Sequence, residues 1–197
     1  IRNAEVLETL ERVDTVVVDK TGTLTEGRPK LTECVPAPAF TEADVIGFAA
    51  GVERPSEHPL ARAVLQGAKD RGVTVPTVGG FESVTGGGVR GTVGGQPVLV
   101  GQRSLLEAEG VADLGTLDGR AEELQRQGRT VMYVAVGGRL VGLVAVSDPI
   151  KPSTPEAVRA LRGLGLRVIM LTGDNERTAK TVADTLGITE FQAGVRP

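Results

Sequence analysis

An aspartate followed by small and hydroxyl residues ends an apolar run near the start of the chain. Asp19 directly follows Val16–Val18, and Lys20 separates it from Thr21–Thr23. A carboxylate at the carboxyl end of a parallel strand can act as a nucleophile or as a metal ligand. Phosphoryl transfer needs an in-line oxygen nucleophile, Mg²⁺ to bridge the charge, and donors around the phosphoryl oxygens. Asp19 could supply the nucleophile and share the metal, although a strand-end turn residue that caps its own loop is the alternative.

A second apolar run ends in a similar loop near the other end of the chain. Val168–Leu171 precede Thr172, Gly173 and Asp174. Both runs are short and rich in Val and Ile, as is typical of a parallel strand covered on both faces. Two such loops favour a phosphoryl-transfer site over an isolated turn. Asp174 or Asn175 is expected to begin a helix that Gly187 stops.

The middle of the chain has a different pattern. Thr41 and Asp44 have the spacing of a capping box, and His58 and Pro59 are placed to begin a second helix. Further elements are predicted as strands at 80–84, 88–93 and 96–101, helices at Leu105–Gly110 and Ala121–Gln127, and a hairpin at 130–136 and 139–148. The simplest arrangement is an antiparallel α+β domain over residues 31–146, inserted into a parallel-sheet α/β domain formed by residues 1–30 and 147–197.

Composition narrows the classes of partner. The 197 residues are 40% apolar and 24% charged, with a net charge of -3, so nucleic acid and an anionic membrane surface are poor partners. Aromatic residues make up only 3%, so Val, Leu, Ile and Ala must form the core. Cys34 is the single cysteine; it is expected to be inert within a connector marked by Pro36 and Pro38.

The stretches "DKTGTLTEG", "SEHPL" and "TGDN", in this order, resemble the P-type ATPases, which are members of the haloacid dehalogenase-like superfamily. The resemblance implies a haloacid dehalogenase-like phosphorylation domain in which Asp19 accepts the γ-phosphoryl group of ATP. By the same resemblance Asp19 and Thr21 would bind Mg²⁺, and the catalytic loops would comprise Asp19, Lys20, Thr21, Thr172, Gly173 and Asp174. Soluble phosphatases of the superfamily carry a second aspartate where this chain has Thr21. Since threonine is no general acid or base, an acyl phosphate should persist.

"SEHPL", followed by "GGGV" and "VGQ", resembles the nucleotide-binding domain of the heavy-metal-transporting branch. The resemblance implies that Glu53 contacts adenine and that His58 orients the base and phosphates. The remaining contacts would come from Gly86, Gly88, Gly101 and Gln102, the last where many relatives have Asn. His58 could instead only begin a helix, and the glycines could instead only mark bulges or turns.

Other features concern the parent protein. "SDPIK" resembles the family's hinge, which implies hinge roles for Asp148 and Lys151, although Asp148 could equally end a strand. No "KGAPE"-like stretch of calcium and sodium pumps occurs, and the 130–152 hairpin looks closer to copper exporters. The family continues beyond Pro197 with a lysine and a "GDGxND" segment.

We therefore expect the chain to be a truncated, soluble cytosolic piece of a membrane pump. Its partners would be ATP or ADP and the pump's membrane helices, actuator domain and metal-binding domains. The piece should bind nucleotide but be impaired in catalysis. Two other classes compete with this hypothesis: a soluble haloacid dehalogenase-like phosphatase with a large cap domain, and a regulatory nucleotide-binding module without chemistry.

Overall fold

The computed structural model describes residues 12–174 and 176–195. They form two compact units, one containing the described residues up to Gly27 and from Pro149 onward, the other Arg28–Asp148. The strands are β1 (Thr15–Asp19), β2 (Lys30–Pro36), β3 (Val78–Val84), β4 (Gly88–Val93), β5 (Gln96–Gly101), β6 (Thr130–Val136), β7 (Arg139–Ser147), β8 (Arg167–Leu171) and β9 (Glu190–Gln192). The α-helices are α1 (Glu42–Glu53), α2 (Pro59–Asp70), α3 (Arg103–Ala108), α4 (Asp118–Arg126), α5 (Thr154–Gly163) and α6 (Glu176–Leu186).

The first unit contains the predicted parallel sheet, in the order β1-β8-β9. Val168 and Met170 pack from one face of β8 against α5 and α6. The prediction that β1 is covered on both faces is wrong, because the side chain of Val17 is 56% exposed. Alternation along the strand directs Val17 away from Val18, which packs on the helix-covered face.

The second unit is built on a six-stranded antiparallel sheet in the order β2-β7-β6-β5-β4-β3. Helices α1 and α2 share one core with the sheet, and α4 contributes to a second. The predicted capping box begins α1, with Thr41 Oγ1 accepting from Asp44 N–H at 3.2 Å. The connector predicted around Cys34 is wrong, because this residue lies in β2, where Cys34 pairs with Val144 of β7.

The remaining sequence predictions agree with the structure to within a few residues at element ends. The three glycine-rich strands, the β6–β7 hairpin and the helices α2, α3 and α4 are all present. Helix α6 ends at Leu186, directly before Gly187, whereas the alternative start at Asn175 lies outside the described residues. Helix α5 and strand β9 were not predicted. Among the described residues, no helix is long and apolar enough to cross a membrane.

Candidate functional site: a phosphorylation loop and a nucleotide pocket

Asp19 lies where the sequence places it, at the carboxyl end of a parallel strand. It is the last residue of β1 and pairs in register with Leu171, the last residue of β8. Asp19 is exposed. The loops that follow the two strands therefore leave the same edge of the sheet, which is where open α/β sheets bind ligands.

The loop after Asp19 is a tight, irregular turn, Lys20–Leu24, which we call the phosphorylation loop. Thr21 has an extended backbone and Gly22 has a φ of 77°, so the turn is not a regular helix. Thr21, Gly22 and Thr23 are exposed, and the Gly22 N–H donates to Thr25 Oγ1 at 3.3 Å. The hydroxyl groups of Thr21 and Thr23 are therefore candidate donors to a ligand.

An ion pair joins the phosphorylation loop to the loop after β8. The side chain of Lys20 is 7% exposed, and its Nζ lies 2.5 Å from Asp174 Oδ2. A pair this close, with one partner buried, fixes both loops because separating it would leave a buried charge uncompensated. The positive charge of Lys20 is therefore paired with the carboxylate of Asp174 in this structure.

Thr172 organises the second loop from within. Its side chain is buried, Thr172 Oγ1 accepts from Asp174 N–H at 3.1 Å, and Thr172 N–H donates to Gln192 O at 3.0 Å. Gly173 is exposed between them. The loop is therefore held by β9 and its extension, with Val195 N–H donating back to Thr172 O at 3.1 Å.

The two predicted hinge residues have different surroundings. Asp148 belongs to the second unit, where its Oδ1 accepts from Arg28 N–H at 3.0 Å. Lys151 belongs to the first unit, and its Nζ donates to Gly22 O in the phosphorylation loop at 2.5 Å.

All six residues predicted to bind nucleotide line one pocket of about 260 Å³ in the second unit. They come from widely separated stretches of the chain and converge at the ends of α1, α2, β4 and β5: Glu53, His58, Gly86, Gly88, Gly101 and Gln102. Apolar walls come from Val89, Val100 and Met132. The volume is below the ~300–1,000 Å³ of sites that bury a drug-sized ligand, so the pocket suits part of a nucleotide.

Glu53 is the most unusual group in this pocket. It ends α1, is 5% exposed, and its Oε2 is buried with no hydrogen-bond partner among the described residues. Burial raises the pKa of Glu53, and a hydrogen bond from Ser56 only partly offsets this effect. The negative end of the α1 dipole adds to the cost of a carboxylate here. A buried carboxylate oxygen without a hydrogen-bond partner destabilises the protein when no ligand is bound. Its presence in a pocket indicates a ligand that supplies a hydrogen-bond donor.

His58 is both a helix cap and a pocket residue. It is the N-cap of α2, and its Nδ1 accepts from Leu60 N–H at 3.2 Å. Because a neutral imidazole has one donor and one acceptor nitrogen, this bond puts the ring proton on Nε2. The exposed ring can therefore offer Nε2–H as a donor.

The packing of two strands explains why glycine occupies two positions of this pocket, without any ligand. Gly88 and Gly101 face each other across β4 and β5. A Cβ on Gly88 would lie 2.1 Å from Val100 O, and one on Gly101 would lie 2.3 Å from Gly87 O. Gly86, with a φ of 71°, lies in the turn before β4 with open space around it. The close approach is thus between two strands.

Sequence reasoning missed the residues that hold the phosphorylation loop from behind. Thr25 Oγ1 donates to Lys20 O at 3.0 Å and accepts from Gly22 N–H at 3.3 Å. Thr154, the buried first residue of α5, donates through Oγ1 to Leu24 O at 2.8 Å. The contact of Thr154 joins residues far apart in the chain, so no local pattern could reveal it.

The oxygen ligands present fit a magnesium site only in part. No group of three or more His, Cys, Asp or Glu side chains that could hold a metal ion occurs in the described portion of the chain. Mg²⁺ keeps several waters and typically uses one or two carboxylates together with substrate phosphates. The exposed carboxylate of Asp19 and an oxygen of Thr21 fit such an incomplete protein ligand set.

Comparison with known proteins gives concordant matches. A family model described as haloacid dehalogenase-like hydrolase matches residues 13–196. Over 197 residues the chain is 49% identical to a copper-transporting P-type ATPase of Rhizobium leguminosarum bv. viciae and 45% identical to a silver exporting P-type ATPase of Salmonella typhimurium. These alignments cover 100% of this chain but 23% and 24% of those proteins. The chain thus spans about a quarter of the length of the curated relatives it matches.

Solved structures agree with the sequence matches. A zinc-transporting PIB-type ATPase in the E2.Pi state superposes with a TM-score of 0.81 at 35% identity, covering 96% of this chain and 30% of that one. The catalytic domain of the CPx-ATPase CopB-B, from a structure that describes conformational changes upon nucleotide binding, superposes with a TM-score of 0.71 at 28% identity. This superposition covers 100% of this chain and 67% of that one. The parallel and antiparallel sheets described above therefore match the cytoplasmic phosphorylation and nucleotide-binding domains of P-type ATPases.

Proposed function

Because this chain belongs to the haloacid dehalogenase-like hydrolase family, we propose that it is the ATP-binding and phosphorylation region of an ATP-driven metal-exporting pump. The Arg28–Asp148 unit binds ATP, and the unit containing Asp19 accepts the γ-phosphoryl group. The observation that carries the proposal is the convergence of the six predicted residues, which come from separate stretches of the chain, on one pocket that contains a buried, partly unpaired carboxylate.

The pocket offers complementary groups to the adenine end of ATP. The exocyclic amino group of adenine brings the donor that Glu53 Oε2 lacks, and the apolar walls suit a flat base. The Nε2–H donor of His58 suits an acceptor on the base or the phosphates. The volume of about 260 Å³ suits the adenine end of ATP better than the whole nucleotide.

The phosphorylation step is a displacement at phosphorus. A carboxylate oxygen of Asp19 forms a bond to the γ-phosphorus, while the bond to the bridging oxygen breaks and ADP leaves with that electron pair. Strand β1 orients the nucleophile, and the hydroxyl groups of Thr21 and Thr23 together with the Thr23 amide can donate to the phosphoryl oxygens. The Lys20–Asp174 ion pair keeps the two loops in place.

Mg²⁺ is the cofactor of this proposal. Asp19 and Thr21 would hold it beside the nucleotide phosphates, where its charge offsets the negative charge of the transferring group. The chain's own contribution is to keep the Asp19 carboxylate exposed at the carboxyl end of β1.

The residue at Thr21 separates a pump from a soluble phosphatase. A threonine hydroxyl cannot protonate a leaving group or activate water at neutral pH, so the aspartyl phosphate should be long-lived. The phosphatase reading is not favoured, since the chain matches P-type ATPases along its whole length. A regulatory module without chemistry would not require Asp19 at the strand end.

The cargo we propose for the intact pump is Cu⁺, which moves across the membrane in the longer protein. The support is the 49% identity to a copper-transporting relative. The chain is also 45% identical to a silver exporter, and Ag⁺ is a soft monovalent cation like Cu⁺. Its identity to the zinc-transporting structure is lower, at 35%.

An NMR titration of the chain with ATP tests nucleotide binding. We expect shifts of the amides of Glu53, Gly86, Gly88 and Gly101, and weaker binding by His58→Asn, which keeps an N-cap acceptor but loses the ring donor. Lys69→Ala, an exposed change in the last turn of α2 outside the pocket, is the matched control. Shifts confined to the Asp19 and Thr172 loops, or equal affinity in His58→Asn, would contradict the assignment.

A further inference from the structure

Lys151 contacts the phosphorylation loop although the sequence assigned it only to a hinge. We propose that Lys151 is a positioning residue for phosphoryl transfer, which orients the Gly22–Thr23 peptide of the loop that follows Asp19. This inference rests on the proposed function, since it assumes that Asp19 is the phosphorylated residue.

Lys151 is bound to the loop by both its main chain and its side chain. Lys151 N–H donates to Leu24 O at 3.1 Å, and Lys151 Nζ donates to Gly22 O at 2.5 Å. The main-chain bond fixes where the side chain starts, so the ammonium group reaches a defined point of the loop. A charged donor makes a stronger hydrogen bond than a neutral one.

The contact with Gly22 O determines the direction of an amide donor. In a trans peptide the carbonyl oxygen and the following N–H point to opposite sides. When Lys151 holds Gly22 O on its own side, Thr23 N–H is directed away from Lys151. An amide fixed in this way in an exposed loop can donate to a phosphoryl oxygen without reorganising during the reaction.

The other contacts of the loop do not replace this one. Thr25 holds the Lys20 carbonyl and the N–H of Gly22, and Thr154 holds the last carbonyl, that of Leu24, but neither contacts the Gly22 carbonyl. Lys151 acts in the middle, where Gly22 has a φ of 77° and regular helical bonding cannot fix the peptide plane. Loss of Lys151 should therefore release the central peptide while both ends stay anchored.

The test compares Lys151→Met, which keeps much of the apolar stem but removes the donor, with Lys151→Arg, which keeps a charged donor. Lys180→Met is the control, because Lys180 belongs to the same unit but pairs with Asp184 on the exposed surface of α6. In the isolated chain, amide spectra report Gly22 and Thr23, and an ATP titration reports the pocket. In the full-length pump proposed above, the rate of phosphoenzyme formation at saturating ATP reports the transfer step.

We expect Lys151→Met to shift and broaden the Thr23 amide and to slow phosphoenzyme formation roughly tenfold to hundredfold, the scale of a small misplacement in an active site. ATP affinity should not change, and Lys151→Arg should restore most of the rate. If Lys151→Met forms the phosphoenzyme as fast as the unsubstituted pump, the positioning role is overturned but the proposed function is not. A failure of Lys151→Arg to restore the rate has the same consequence. A parent protein that forms no phosphoenzyme overturns the proposed function and this inference with it.

Discussion

At the scale of single residues, Glu53 carries the strongest sign of a ligand. The side chain is 5% exposed at the end of a helix, and one oxygen has no partner among the described residues. A carboxylate in this position destabilises the fold, so its presence is best explained by a contact that the ligand supplies. Stability and binding should therefore respond in opposite directions to its removal.

The pH dependence of stability in Glu53→Gln tests whether the buried carboxylate destabilises the fold. A folded-state pKa raised above the ordinary 4.5 means that the free energy of unfolding falls as the pH rises from about that value through the raised pKa. Glu53→Gln lacks this loss, so at pH 7 it should be more stable than the parent by at least about 1 kcal/mol, since a pKa raised by one unit corresponds to about 1.4 kcal/mol. The gain should vanish below pH 4.5. Urea unfolding across this pH range measures it, and parallel pH profiles for the two proteins would refute the explanation.

At the scale of elements, two strand pairs position the sites. Strands β1 and β8 bring two loops to one sheet edge, and β4 and β5 approach closely through Gly88 and Gly101. The apolar runs of the sequence predict the first arrangement, because they are local signals. The sequence does not predict the second, since Gly88 and Gly101 are interpreted from it as nucleotide contacts or as residues of bulges and turns. The sequence cannot predict that Lys151 and Thr154 support the phosphorylation loop, because those contacts span about 130 residues.

The approach of β4 and β5 predicts a large cost for a single methyl group. In Gly101→Ala the new Cβ would lie 2.3 Å from Gly87 O and 2.9 Å from Gly88 Cα. Backbone cannot yield as a flexible side chain can, so we expect a loss of about 1–3 kcal/mol in the free energy of unfolding. Gly119→Ala, in helix α4 with nothing within 4 Å, should instead gain about 0.5–1 kcal/mol. Equal effects of the two changes in urea unfolding would show that the strands can separate without cost.

The location of Cys34 in β2 predicts an unreactive thiol. Burial and the nearby charge of Glu42 raise the pKa of Cys34 to about 12, so little thiolate exists at neutral pH. A thiol reagent should modify the unfolded chain at least a hundredfold faster than the folded one. Because Cys34 is the single cysteine, the signal has one source. Rapid modification of the folded chain would contradict the burial of Cys34 in β2 and would favour the exposed connector that the sequence predicts.

At the scale of the whole molecule, the chain forms two units, to which the proposed function assigns separate tasks. The Arg28–Asp148 unit has a complete six-stranded sheet and its own cores, and no strand of either sheet is shared with the other unit in the described residues. The sequence predicts this insertion because antiparallel and parallel patterns alternate along it. It does not predict the exposed face of β1, since a Val-rich run looks the same whether one face or both are covered.

This organisation predicts that residues 28–148 fold and bind ATP alone. Calorimetric unfolding should be cooperative, and the dissociation constant for ATP should lie within about twofold of that of the whole chain, since all the pocket residues lie within this range. The same segment carrying His58→Asn is the control for specific binding. A disordered segment, or one that is folded but does not bind, would place part of the nucleotide site elsewhere.

The most direct measurement is the capture of the phosphoenzyme in the full-length pump, with ATP labelled at the γ-phosphate and an acid quench. We predict an acid-stable, hydroxylamine-sensitive label in the parent and in Asp184→Asn, an exposed change on α6, and none in Asp19→Asn. Label that persists in Asp19→Asn would mean that another residue accepts the phosphoryl group. A parent that remains unlabelled would contradict the phosphorylation function.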